Sequence, residues 1–281
     1  MPVNRIRSVL VHVDGAAGNV SRLAVACAIA QRHGSALAAL FAAAPPLLDV
    51  PYAHVGGAIA PDGLHELFGQ RLRNARRMAL RACAQRALEG TWQELSAVAT
   101  PAVGFAQQAL YADLLVLGQH DASNPSAQHV PSDFAHSVLL RSGRPALIVP
   151  SAGAHDTVGR DAVVAWKATR ESARALSAAL PLLREAARVH VFVWGEDGVS
   201  HAGRMPDVEH FLRLHEIEPV MHCETRVPRE LGETLLSCTA ELGAGLLVMG
   251  CYGHSRAREF VLGGVSRTVL GSMTLPVLMC H

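Results

Sequence analysis

Two distant stretches of this chain are near copies of each other. Ala112-Asp-Leu-Leu-Val-Leu-Gly118 returns as Ala244-Gly-Leu-Leu-Val-Met-Gly250, about 132 residues later. Each copy is followed by a polar loop, a helical stretch containing Val-Leu, and a Pro-led apolar run. Those runs are Arg144-Pro-Ala-Leu-Ile-Val-Pro150 and Leu275-Pro-Val-Leu-Met-Cys280. The starts correspond as well: Val9-Leu-Val-His-Val-Asp-Gly15 against Ala162-Val-Val-Ala-Trp-Lys-Ala168, offset by about 153. A chain that repeats a plan at this period builds one supersecondary unit twice. The 281 residues therefore divide into two domains, expected at 1–152 and 157–281, with a linker rich in small residues at Ser151–Gly159. The two offsets differ by about 21 residues, so the first half carries an insertion, expected in the Pro/Gly-rich segment Pro45–Pro61.

Within each half, short apolar runs alternate with helical patterns, which implies βαβ units and a parallel sheet. Strands are expected near 8–13, 36–43, 92–98, 113–118 and 145–149, with helices near 19–33, 62–89, 101–111 and 132–142. The second half predicts strands near 161–166, 189–194, 220–226, 245–250 and 276–280, with helices near 170–186, 205–217, 229–242 and 264–272. Runs such as Leu246-Leu-Val-Met are continuously apolar, as befits strands covered on both faces. The expected class is α/β, with two tandem doubly wound five-stranded sheets. Ligands of such sheets sit beyond the carboxyl ends of the strands, at the switch point.

Composition narrows the function classes. Half the residues are hydrophobic, enough for a sizeable core, while the net charge of +1 gives no global field for gripping nucleic acid. No apolar run approaches the roughly 20 residues of a membrane span, and the N-terminal run at Ser8–Val13 is too short for a signal peptide. Six cysteines contain no C-x-x-C pair, and the reading is a reduced, cytoplasmic protein without nucleic-acid or membrane partners.

The chemistry concentrates in Met249-Gly-Cys-Tyr-Gly-His-Ser-Arg-Ala-Arg-Glu-Phe-Val-Leu-Gly-Gly-Val-Ser-Arg-Thr-Val-Leu270, spaced G-x2-G-x9-G-G-V-S. Glycines let a backbone approach a bulky ligand, and the first amides of the 264–272 helix offer unpaired N–H groups to a phosphate. Ser266 and Thr268 add hydroxyls, and Arg256, Arg258 and Arg267 add charge. A connection that merely turns the chain would use the same glycines.

This spacing closely resembles the universal stress protein (UspA) family, whose nucleotide-binding members carry G-x2-G-x9-G-[ST] after their fourth strand. The resemblance covers nearly the whole chain as a tandem pair and implies an adenine nucleotide alpha hydrolase-like fold with strand order 3-2-1-4-5 in each half. It implies ATP or a related adenine nucleotide bound mainly in the second half, by Gly250, Gly253, Gly263, Gly264, Val265 and Ser266. Trp166 and Lys167 would line the end of the first strand. It implies a stress-response binding protein more than an enzyme, and pairing through last strands, as an intramolecular pseudo-dimer or a homodimer. Two positions of the second half depart from the pattern. Gly264 stands where the phosphate-binding Ser or Thr belongs, and Lys167 where an Asp belongs. The first half keeps Asp14 and Gly118 but has Asp121 for the second glycine and Pro131-Ser132-Asp133 at the helix entrance, so its site is expected to be degenerate.

Rival sites are weaker. Gly253-His-Ser-Arg-Ala257 approaches a nucleophile elbow, but only Glu259 and His281 follow as acid and histidine. Cys251, His254, Cys280 and His281 fit no familiar zinc spacing, and no metal is expected. The basic run Arg71, Arg73, Arg76, Arg77, Arg81 and Arg86 lacks aromatic interleaving and is expected to be a solvated helix face, as are His65, His210 and His215. No Walker A, H-E-x-x-H or G-x-G-x-x-G occurs. The alternatives to nucleotide binding are a nucleotide-free interaction module and a slow ATP hydrolase relying on Glu259.

Overall fold

The computed structural model describes residues 5–44, 61–95, 100–121, 129–153, 158–195, 207–251 and 264–281. The first half runs β1 (Ser8–Val13), α1 (Asn19–His33), β2 (Ala36–Phe41), α2 (Pro61–Gln85), β3 (Gly90–Glu94), α3 (Pro101–Ala109), β4 (Leu114–Gly118), α4 (Phe134–Ser142) and β5 (Ala146–Val149). The second runs β6 (Asp161–Trp166), α5 (Arg170–Leu183), β7 (Arg188–Trp194), α6 (Val208–Leu214), β8 (Pro219–Glu224), α7 (Leu231–Glu241), β9 (Leu246–Gly250), α8 (Gly264–Ser272) and β10 (Val277–Cys280).

Strand periodicity decides what each side chain meets. Along β1, Val9, Val11 and Val13 face α1 and α2, while Leu10 and His12 face the opposite layer, which contains Phe105 and Phe134. Both faces are covered by helices, which is why the central strands are apolar on both sides. No helix among the described residues is long and apolar enough to cross a membrane.

All ten strands form one sheet, in the order β3-β2-β1-β4-β5-β10-β9-β6-β7-β8. Each half thus has the order 3-2-1-4-5, with every pairing inside a half parallel. The halves join where β5 meets β10 antiparallel, pairing Ile148 with Val277, Leu147 with Leu278 and Ala146 with Met279. The eight residues of these two strands are all buried. The pseudo-dimer through the last strands is therefore built into the chain.

The boundaries differ from expectation in two places. β3 begins at Gly90, ahead of the apolar run that suggested 92–98, because Leu37 of β2 pairs with Gly90 and Cys83 packs against that bare backbone; residues 96–99 lie outside the described set. The extra length of the first half resides mainly in a helix. α2 has 25 residues against 7 in α6, eighteen more. The expected insertion at Pro45–Pro61 falls on residues outside the described set, apart from Pro61, which opens α2.

Candidate functional site

The sheet reverses its winding between strands one and four of each half. In the first half this point is occupied by a buried network. Arg22 of α1 lies between the end of β1 and Gly118 of β4, donating from Nη1 to His12 Nδ1 at 2.8 Å and to the His12 carbonyl at 3.0 Å. Its Nη2 pairs with Asp14 Oδ2 at 3.2 Å. His12 Nε2 donates to the Ala42 carbonyl at 2.8 Å, and Asp14 Oδ1 accepts from the Ala16 amide at 2.8 Å. Arg71 of α2 donates to the Asp14 carbonyl. That removes Arg71 from the solvated basic face expected of α2, since its long stem lets it reach the end of β1. Arg22, Asp14 and His12 are respectively 4%, 6% and 2% exposed, so each charge must be paired to be tolerated.

The electrostatics follow from burial and partners. Burial alone would raise the Asp14 carboxyl, but Arg22, His12 and the Ala16 amide overcome it and hold it below the usual carboxylate range. Burial, reinforced by Arg22, pushes His12 down from the ordinary 6.5 to about 4, against the opposing pull of Asp14 and the Ala42 carbonyl. Gly118 is required here, because a Cβ at this position would lie 2.6 Å from Arg22 Nε.

A cavity of about 270 Å³ adjoins this network. Its floor is Gly118 at the end of β4 and Gln119 after it, its walls the first turn of α4 and the end of β5, and α8 of the second half completes it with Arg267, Leu270 and Gly271. Gln119 ties the pieces together. Its side-chain amide donates to the Leu270 and Gly271 carbonyls at 3.0 and 3.3 Å, and its Oε1 accepts from the Ser151 amide at 3.1 Å. Asp133 precedes α4 without capping it and instead accepts from the Ser137 hydroxyl at 3.0 Å.

The second half is arranged differently. Only Lys167–Thr169 connect β6 to α5, whereas residues 14–18 connect β1 to α1. The shorter connection brings the first turn of α5, capped by Thr169, directly onto β9. A Cβ on Gly250 would lie 2.5 Å from the Ser172 amide nitrogen. Gly250 therefore permits helix packing, a role the spacing alone did not reveal. Half-buried Trp166 ends β6 and exposed Lys167 follows it, beside β9, where Ala165 pairs with Met249. At the start of α8, no described residue lies within 4 Å of a side chain added at Gly264, Val265 is half-buried and Ser266 is buried. Thr268 packs on Gly232 of α7, and Arg267 lines the first-half cavity. Gly253 and Gly263, with Arg256 and Arg258, lie outside the described residues.

Of the rival sites, Cys251 and Cys280 are adjacent and buried, with the Cys251 amide donating to the Cys280 carbonyl at 3.0 Å. Burial pushes both thiols up, away from the thiolate a metal needs. Among the described residues no group of three His, Cys, Asp or Glu could hold a metal. His254, Ser255 and Glu259 lie outside that set. His65 and His210 are exposed, whereas His215 is half-buried, with Arg184 on its ring and its carbonyl.

Sequence reasoning missed His12, Arg22 and Gln119. The available signal was a polar residue on an inward position of β1 and an Arg on the apolar side of α1.

The comparisons agree with this geometry. Residues 160–281 match the Universal stress protein family. No curated protein matches the chain. Among solved structures, the chain is similar to a universal stress protein from Archaeoglobus fulgidus, at 17% identity over 97% of each chain with a TM-score of 0.71. It is also similar to a functionally unknown protein from Pseudomonas aeruginosa, at 17% identity over 97% of this chain and 92% of the other, with a TM-score of 0.56. Residues 160–281 thus form a domain of the universal stress protein family, and the first half repeats its fold to make a tandem chain.

Proposed function

We propose that this chain is a cytoplasmic stress-response protein that binds ATP or a related adenine nucleotide in its second half, with the first half as structural partner. The observation that carries the reading is the contrast between the two helix entrances. At α8, among the described residues none fills the space beside Gly264, which follows the G-x2-G-x9-G spacing, and the first-turn amides offer a phosphate their dipole. At α4, Asp133 already supplies negative charge, and Arg22 fills the space over Gly118. Gly250, Gly253, Gly263, Gly264, Val265 and Ser266 would form the phosphate side, with Trp166 and Lys167 at the end of β6.

Mass spectrometry of ligand released from the purified protein, followed by ATP titration calorimetry, tests this. A bound adenine nucleotide, or heat of ATP binding that vanishes in Gly263→Val, supports it. Neither nucleotide nor heat refutes it. The second reading is a nucleotide-free interaction module, favoured by the close packing of α5 on Gly250 and by Lys167 in place of an acid. The same calorimetry decides between them, and sedimentation reports whether chains pair further into homodimers. Turnover of ATP lost in Glu259→Gln would instead establish a hydrolase.

A further inference from the structure

We infer that the outer face of α2 is a docking surface for an anionic lipid bilayer. The two halves treat exposed arginine differently. In α6, Arg213 is held by Glu209 and Glu218, each at 2.8 Å. On α2, the exposed Arg73, Arg76, Arg77 and Arg81 take part in no ion pair among the described residues. Glu66, the one carboxylate among the described side chains of α2, stands seven residues before Arg73 and accepts from Gln70 at 3.4 Å.

The net charge of +1 hides this excess. Residues 1–152 carry 12 arginines against nine acids, a balance of +3, and residues 153–281 carry 13 basic residues against 15 acids, a balance of −2. A chain with no global field thus has a strong local one, on the helix that gives the first half its extra length.

The shape of the face points to the partner. At about 100° per residue, all four arginines fall within about 100° of Leu80, which is 45% exposed among them. Ala75, Ala79 and Cys83, on the inner side, are buried in the core, so the fold holds α2 and leaves this convex face outward. An apolar side chain ringed by guanidiniums suits a bilayer interface. Headgroup phosphates meet the arginines while the leucine reaches the acyl boundary. Nucleic acid would gain from stacking, yet the nearest ring, Phe68, packs inward on Phe41 at 5.7 Å. No α2 residue lines the first-half cavity, and a fluid surface needs no groove to dock on a convex helix. α2 and α8 cover opposite faces of the sheet, so the inference stands apart from the nucleotide reading.

Vesicle co-sedimentation of the full chain tests it, with phosphatidylcholine vesicles prepared with and without an equal share of phosphatidylglycerol. The chain should sediment with the anionic vesicles only. It should be released as salt rises from about 0.1 M to about 1 M, where the screening length falls from about 10 Å to about 3 Å. Each arginine near an anionic surface contributes about fivefold, so Arg73→Gln with Arg77→Gln should weaken partitioning about twenty-five-fold. Leu80→Ala should weaken it about fivefold. The equally exposed pair Arg226→Gln with Arg229→Gln, in the second half, should leave it unchanged. Circular dichroism checks that each variant is folded. No preference for anionic vesicles, undiminished binding by the α2 pair, or equal loss in both pairs would overturn the inference. So would tighter binding of a polyglutamate peptide or of an oligouridylate than of the vesicles, which would assign the face to a protein or to RNA. ATP calorimetry on the same samples reports separately on the nucleotide site.

Discussion

Lowering the pH from about 7.5 to about 5 costs the folded chain about 2 kcal/mol through His12 alone, because its pKa falls from the ordinary 6.5 to about 4 on folding. The cause is a fixed tautomer. Arg22 can only donate, so His12 Nδ1 accepts and the ring proton sits on Nε2, facing the Ala42 carbonyl. A second proton would have to enter at Nδ1, against a guanidinium and away from water. The sign follows: below its ordinary pKa the unfolded chain gains a proton that the folded chain refuses, so stability drops as the pH falls from about 6.5 to about 4. Full development of the effect is about 3 kcal/mol. Other histidines titrate too, so the measurement is a difference. Urea unfolding of the natural chain and of His12→Gln, whose amide oxygen can accept from Arg22, should be compared at both pH values. The natural chain should lose about 2 kcal/mol more than the variant. Equal losses would refute the proton assignment at this network.

Three further outcomes are expected. Asp14→Asn leaves Arg22 buried without its counter-charge and should destabilise the chain by about 3–5 kcal/mol in denaturant unfolding. Gly250→Val should cost roughly 1–3 kcal/mol, because its Cβ would push the first turn of α5 off β9, detectable as a lower unfolding midpoint. Gly264→Ser meets no described residue, should leave the unfolding free energy within about 0.5 kcal/mol, and should tighten ATP binding in calorimetry by supplying a hydroxyl at the helix entrance.

The repeated order of strands and helices and nearly every element were legible because a repeat and an apolar period constrain each other. Residues Ser8–Val13 and Asp161–Trp166 coincide with the strands expected there, and Asn19–His33 with the expected helix. The site was less legible. Arg22 and Arg71 carry full charges, and charge in a helical pattern reads as solvated until a buried carboxylate and a carbonyl are seen within their reach. Arg267 follows the glycine loop in sequence but borders the opposite half, because only the β5–β10 pairing decides which cavity α8 overlooks. Gly250 illustrates a different limit. Its spacing marks a position intolerant of a side chain but does not say whether a ligand or a helix takes the space.

The joint between β5 and β10 has a consequence for concentration. Eleven residues separate the end of β5 from the start of β6, so the two last strands are tethered on one chain. A short tether of this kind sets an effective concentration in the millimolar range. Two separate subunits joined at the same seam would part on dilution, whereas these halves meet at any protein level in the cell. Freed from identity, each half can also change its own face without altering the other. Arg22 over Gly118 and the Ser172 turn on Gly250 are two such independent solutions to the same fold position.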